Sequence, residues 1–137
     1  VKLTKIKVAT HDSRGDISDI FYKHRIDHVA IINSKKGAFR GDHYHKLTTQ
    51  HMYMTCGSLK YYYRKADEGN DSVKSVVVKQ GELVTTQPYE VHALEILEDN
   101  QFVVFSEGKR GGQDYESDTF RVQPSLVKKE REILSQK

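Results

Sequence analysis

Three of the chain's seven histidines, His43, His45 and His51, fall within nine positions in the stretch GAFRGDHYHKLTTQHMYMTCG, Gly37 to Gly57. Imidazole is the side chain whose ordinary pKa lies nearest neutrality. A group of them facing one space can carry protons to and from a substrate or hold a first-row metal through their lone pairs. Residues two apart on a strand share a face, so His43 and His45 project side by side. After a short loop, alternation puts Gln50, Met52 and Met54 on one face and His51 and Tyr53 on the other. His43, His45 and Gln50 are therefore expected to face one cavity, with His51 turned away as a surface or interface residue. His92, in QPYEVHAL, opens another strand and has three readings: metal ligand, further pocket base or core histidine.

The elements that must position these groups read as short strands. Alternation or β-branched enrichment marks KLTKIKVAT, DHVAIIN, QHMYMTC, SLKYYYRK, VKSVVVK, GELVTT, HALEIL and QFVVFSE. Turn residues separate them, as in NSKKG, ADEGNDS, KQGE and GKRGG. Strands at this spacing without helical patterns between them predict an all-β sandwich or barrel. In YYYRK only one alternation set can face inward. Cys56, beside Gly57, reads as a buried small hydrophobe, and EGKRGG as a hairpin tip. The one helix candidate is PSLVKKEREILSQK, with Pro124 in its first turn and Leu126, Val127, Ile133 and Leu134 as a partial apolar stripe. With no repeat and no linker composition, residues 1–137 are expected to form a single domain.

Composition narrows the partners. Charged residues make up 30% and hydrophobic residues 36%, and the net charge is +3. A balance this mild does not point to nucleic acid. No apolar run is long enough for a membrane span. The single Cys56 excludes an intramolecular disulfide and suits a reducing compartment. The N-terminal stretch alternates where a signal peptide would be continuously apolar. The expectation is a cytoplasmic protein that binds neither nucleic acid nor membrane.

The spacing Gly37, His43, His45, Gln50, Gly57 resembles the first motif of the cupin superfamily, with Gln where many members have Glu. Gly81, Pro88 and His92 stand in the order of its second motif. The resemblance implies a double-stranded β-helix of the jelly-roll type with a pocket at the barrel mouth. Within that superfamily, DSRGDI, RGDHYH, PYEVH and DYESDTF resemble the sugar-nucleotide cupins. The likeness is to the dTDP-4-keto-6-deoxyhexose 3,4-ketoisomerases of the WxcM and FdtA type, and less to the dTDP-4-dehydrorhamnose 3,5-epimerases. Thr49 stands where the group often has Glu, and Val91 where it often has Trp.

The chemistry this implies is isomerisation or epimerisation of a nucleotide-linked 4-keto-6-deoxy sugar through an enediol, in deoxysugar or surface-polysaccharide biosynthesis and without a cofactor. His43 and His45 are the expected acid–base pair, and Gln50 can steady the developing enolate oxygen. Arg40 can clamp a diphosphate, as can Arg14 from a neighbouring subunit. His92 is a further pocket residue. The partners implied are a dTDP- or UDP-linked sugar and a second copy of the chain, because the resembled group forms homodimers and pairing protects strand edges. The alternative is a metal-binding cupin, a dioxygenase or a small-molecule-binding regulatory module, with His43, His45, Gln50 and His92 as ligands.

Overall fold

The computed structural model describes residues 1–114 and 116–127. Twelve strands are assigned: β1 (Lys2–Lys5), β2 (Val8–Asp12), β3 (Gly15–Ser18), β4 (His28–Ser34), β5 (Phe39–Tyr44), β6 (Thr49–Cys56), β7 (Ser58–Lys65), β8 (Lys74–Lys79), β9 (Glu82–Thr86), β10 (Glu90–Ile96), β11 (Asn100–Glu107) and β12 (Phe120–Arg121). One five-stranded sheet runs β1-β9-β6-β11-β4 and the other β12-β5-β10-β7-β8, all pairings being antiparallel. This is the all-β architecture expected from the spacing of the short strands, in the jelly-roll form that the family resemblance implies.

Alternation decides which side chains enter the space between the sheets. On β11, Asn100, Phe102, Val104 and Ser106 are buried while the residues between them are partly exposed. Met52, Met54, Val84, Phe102 and Val104 from the first sheet pack against Leu59, Tyr61, Val78, Leu94 and Ile96 from the second. Large apolar side chains of this kind contribute about 1.5–3 kcal/mol each when fully buried. The inward residues change character along the strands. β10 runs Glu90, His92, Leu94, Ile96 and β6 runs Gln50, Met52, Met54, so an apolar half adjoins a polar half.

Three local departures from the expected strands have identifiable causes. The stretch 2–10 is not one strand. Ile6 N–H donates to the Gly81 carbonyl as the last tie to the barrel, and β2 turns away to pair with β3. The hairpin turn between β2 and β3 is set by the Asp12 carboxylate, which accepts the Arg14 N–H. Cys56 is exposed, not buried. Its pairing with Gln101 follows a bulge at Thr55, since Met54 pairs with Phe102, and the extra residue reverses the alternation. The helix expected over 124–137 falls mostly on 128–137, outside the described residues. Leu126 and Val127 are buried against Tyr62, Val91 and Ala93, on the outer side of the second sheet.

A second bulge matters more for function. β5 pairs His43 with His92 and Gly41 with Ala93, which leaves Asp42 as the extra residue. Gly41 has φ of 92° and Asp42 of 59°. A Cβ on Gly41 would lie 2.7 Å from the His92 carbonyl oxygen, so only glycine lets β5 approach β10 here. Asp42 Oδ1 accepts the Leu126 N–H, and its carbonyl accepts that of Val122. Gly41→Ala should destabilise the protein by about 1–3 kcal/mol in urea unfolding. Gly37→Ala, where a Cβ meets open space despite a positive φ, should cost less. Equal losses would place no special demand on the β5–β10 approach.

Candidate active site

The strand registers lay one polar row across each sheet. In the first sheet His28, Ser106, Gln50 and Thr86 are successive cross-strand partners. In the second, His43, His92 and Tyr63 are. His45 lies just past the end of β5, yet its ring centroid is 4.9 Å from that of His43 and 5.4 Å from that of His92. The His43 and His92 rings are 4.7 Å apart. Tyr61, one layer toward the core, stacks on His92 with centroids 6.0 Å apart and planes within 3°.

Hydrogen bonds orient the imidazoles. His45 Nδ1–H donates to the Asp118 carbonyl at 2.7 Å, which leaves its Nε2 with the lone pair. The Asp118 carboxylate accepts from the Lys46 and Leu47 N–H groups and the Thr48 hydroxyl, and so fixes the β5–β6 loop beside that histidine. Burial opposes its charge, but these donors outweigh burial and hold its carboxyl below the usual range. His92 Nδ1 lies 3.2 Å from the Glu90 carbonyl. Among the described residues, His28 Nδ1, His43 Nδ1, His45 Nε2, Ser106 Oγ and Asn100 Oδ1 are buried without a hydrogen-bond partner. The first four belong to the two rows or to His45, and Asn100 lies at the opposite end of β11. Such a concentration marks a place that recognises polar atoms of a ligand.

Electrostatics keeps the cluster neutral. Burial foremost, then His92, His45, Arg110 and Arg121, pushes the His43 pKa down to about 2. Burial and His45 push His92 down to about 3, against the pull of the Glu90 carbonyl. Burial also lowers His45, opposed by the Asp118 carbonyl and by the Gln50 side chain. Arg110 acts on all three imidazoles, and its Nη1 donates to Thr119 Oγ1. It belongs to EGKRGG, expected as a hairpin tip. The loop instead folds back on the β5–β6 loop, where Gly108 has no room for a Cβ against the Leu47 carbonyl and Thr48 Oγ1 reaches the Lys109 carbonyl.

Of the residues singled out from sequence, the fold brings His43, His45, His92 and Gln50 together. It does not bring Arg40 or Arg14 to them. Arg40 pairs in register with Leu94, in the apolar half, and its guanidinium donates to Ser34 Oγ and the Asn33 carbonyl. Arg14 lies on the β2–β3 hairpin, bound to Asp12. His28, Tyr63, Ser106, Arg110 and Asp118 were not singled out for the site. Each is ordinary in its own segment, and only the register or a returning loop carries it there. Asp118 had a signal within DYESDTF, Tyr63 within YYYRK and Arg110 within EGKRGG.

A cavity of about 1060 Å³ adjoins the cluster. The histidines do not line it, but Tyr63 and Glu90 do, and these border His92 on β7 and β10. Tyr44 and Tyr89 form a stacked pair 6.1 Å apart on its wall, with Lys46, Lys65 and Lys74 around it.

The lowered histidine pKa values make stability depend on pH. Below 6.5 the unfolded chain takes up protons that folded His43 and His92 refuse until about pH 2 and 3. Stability is therefore complete above about pH 6.5 and falls as pH drops through the window beneath it. Between pH 7 and 4.5, His43→Asn and His92→Asn should each flatten the fall in urea-unfolding free energy by on the order of 1–2 kcal/mol. An unchanged slope would mean that the imidazoles are not held neutral.

The fold recurs in solved structures. The sugar 3,4-ketoisomerase QdtA of Thermoanaerobacterium thermosaccharolyticum, in complex with TDP, is 20% identical, with 96% of this chain and 95% of that one covered and a TM-score of 0.70. A 3,4-ketoisomerase of Helicobacter canadensis is 15% identical over 93% of this chain and 95% of that one, with a TM-score of 0.72. The dTDP-6-deoxy-D-glucose-3,5-epimerase RmlC of Legionella pneumophila, in complex with dTDP-4-keto-L-rhamnose, is 14% identical, with 88% of this chain and 71% of that one covered and a TM-score of 0.69. At these identities the likeness establishes a shared jelly-roll fold. No curated protein matches the sequence. Residues 10–120 match the model of the polysaccharide biosynthesis C-terminal domain, a span that holds both polar rows, His45 and Asp118. The chain thus belongs to the polysaccharide biosynthesis C-terminal domain family.

Proposed function

We propose that this protein is an enzyme that isomerises or epimerises a nucleotide-linked 4-keto-6-deoxy sugar in deoxysugar or surface-polysaccharide biosynthesis. The observation that carries the reading is the buried cluster of three neutral imidazoles beside a cavity lined by tyrosines and by charged side chains of both signs, with Lys46, Lys65 and Lys74 among them. The family, and the TDP and dTDP-4-keto-L-rhamnose bound by neighbours of the same fold, support it.

In a 3,4-ketoisomerisation the hydrogen on C3, acidified by the C4 ketone, leaves as a proton. O4 is protonated to give the enediol. The O3 proton is then lost while a proton is delivered to C4, so the ketone ends at C3 with no net change in atoms or electrons. His45, whose Nδ1–H is held by Asp118, presents Nε2 as the proton acceptor. His43, on the neighbouring strand position, serves the second carbon. Gln50 supplies a neutral donor for the enolate oxygen, and Arg110 a positive potential for its charge. The nucleotide occupies the adjoining cavity, with its base against Tyr44 and Tyr89 and its diphosphate near Lys46, Lys65 and Lys74.

A second reading shares the site. The imidazoles of His43, His45 and His92 bring ligand atoms within 4.8 Å of one another, and the Asp118 carbonyl orients His45 as an outer-shell partner would. These residues fit a divalent metal, with Gln50 as a further oxygen ligand. Such an ion would supply Lewis-acid polarisation of a carbonyl.

The working unit we propose is a homodimer. The β2–β3 hairpin belongs to neither barrel sheet and is exposed throughout, and an isolated two-stranded hairpin is marginally stable in water. Val8 and Ile17 on it, and Val29 and Ile31 on β4, leave more than half their surface exposed. In the dimer the hairpin carries Arg14 to the partner's cavity.

His45→Asn should lower kcat on a dTDP-4-keto-6-deoxy sugar at least ~100-fold while dTDP binding, measured by calorimetry, stays within about threefold. Retained turnover would sink the acid–base assignment. Loss of activity on chelation, restored by metal, would establish the second reading. Sedimentation should give twice the chain mass for the wild type and the chain mass for Ile31→Asp. A monomeric wild type would rule out the dimer.

A further inference from the structure

We propose that His24, His51 and Glu107 form a second, separate binding site, for a divalent first-row transition ion such as Zn²⁺, on the outer face of the β1-β9-β6-β11-β4 sheet. Among the described residues, two groups of His, Cys, Asp and Glu side chains bring their ligand atoms within 4.8 Å of one another. One is the interior His43–His45–His92 cluster and the other is this one.

The donors come from three parts of the chain. His51 is on β6, turned outward by the alternation that turns Gln50 and Met52 inward. Glu107 ends β11, and His24 belongs to the connection between β3 and β4. Glu107 Oε2 lies 2.5 Å from His51 Nε2 and 2.7 Å from His24 Nε2, so one oxygen and two ring nitrogens already converge. Three tetrahedral ligands at about 2.1 Å from an ion sit about 3.4 Å apart. Opening the triad by less than about 1 Å would seat the ion. The side chains that must move, His24 and Glu107, are 39% and 36% exposed, whereas His51 is 10% exposed and fixed.

The hydroxyl behind His51 makes the change of state possible. His51 Nδ1 lies 2.9 Å from Thr85 Oγ1. A hydroxyl both donates and accepts. Without metal it donates to Nδ1 while Nε2–H donates to Glu107. With metal it accepts from Nδ1–H, and Nε2 presents its lone pair. Metal-binding histidines characteristically have such a partner on the other ring nitrogen. Phe21 walls the site, its ring 4.9 Å from His51, 5.0 Å from His24 and 5.1 Å from Phe105. Two imidazoles and one carboxylate are a donor set that zinc accepts, with a fourth position left to water or another ligand. The ion would fasten the β3–β4 connection, which contains no strand, to β6 and β11.

The test is zinc content by elemental mass spectrometry after chelation, reloading with Zn²⁺ and dialysis. It compares the wild-type chain with His24→Ala, Glu107→Gln and the interior variant His92→Ala. Both outer variants should lose about one zinc per chain relative to wild type, and His92→Ala should retain that zinc. Zinc should also slow proteolysis between residues 19 and 27 in the wild type and not in Glu107→Gln. A wild type that takes up no zinc, or outer variants that keep the wild-type content, would overturn the site.

Discussion

Three imidazoles packed with their centroids 4.7 to 5.4 Å apart favour the state in which none of them is charged. A proton on any one would be buried and would repel the protons offered to the others, which is why His43 and His92 fall so far below the ordinary histidine range. Arg110 reinforces this from the loop after β11. The rest of the site follows from that neutrality. Lone pairs are available at neutral pH, polar atoms stay unpaired in the interior, and negative charge that develops nearby meets a ready positive potential instead of competing cations on the rings.

The barrel meets this demand by dividing its interior. The apolar half supplies the packing that holds the sheets together. The polar half needs separate supports, because imidazoles at a barrel mouth contribute little cohesion of their own. The Gly41–Asp42 bulge presses β5 against β10 and aims His43 at His92. Asp118 joins the loop after β5 to the segment before β12 by accepting four hydrogen bonds, one of them at its carbonyl from Nδ1–H of the catalytic candidate His45. Asp42 ties the same bulge to Leu126, so the chain end that covers Tyr62 and Val91 is coupled to the site's geometry.

The outer surface of the same strands obeys the same alternation with a different result. Where β6 sends Gln50 inward to the candidate active site, it sends His51 outward to Thr85 and Glu107. One strand therefore serves two clusters that cannot share a ligand, since the sheet lies between them. Beside the outer cluster, Val29 and Ile31 stay exposed on the edge strand β4, which is where the proposed second subunit would find apolar surface.

Period-two alternation is a local property, so the sequence by itself determined the strand-rich class, the inward placement of His43, Gln50, Met52 and Met54, and the outward turn of His51. The two glycine- and histidine-bearing motifs were enough to anticipate the jelly roll and to join His92 to the first cluster. What alternation could not reveal were its interruptions. The bulge at Thr55 that exposes Cys56, and the turn that carries β2 off the barrel, depend on hydrogen bonds with distant partners or on a competing local turn. Only the tertiary structure decided which residues stand opposite one another. Register brings Ser106, His28 and Tyr63 level with the histidines, a returning loop brings Arg110 and Asp118, and Arg40, adjacent in sequence, is held elsewhere by Ser34. Sequence neighbours share a face by geometry, but a site is completed by cross-strand partners, and those are chosen by how the whole barrel closes.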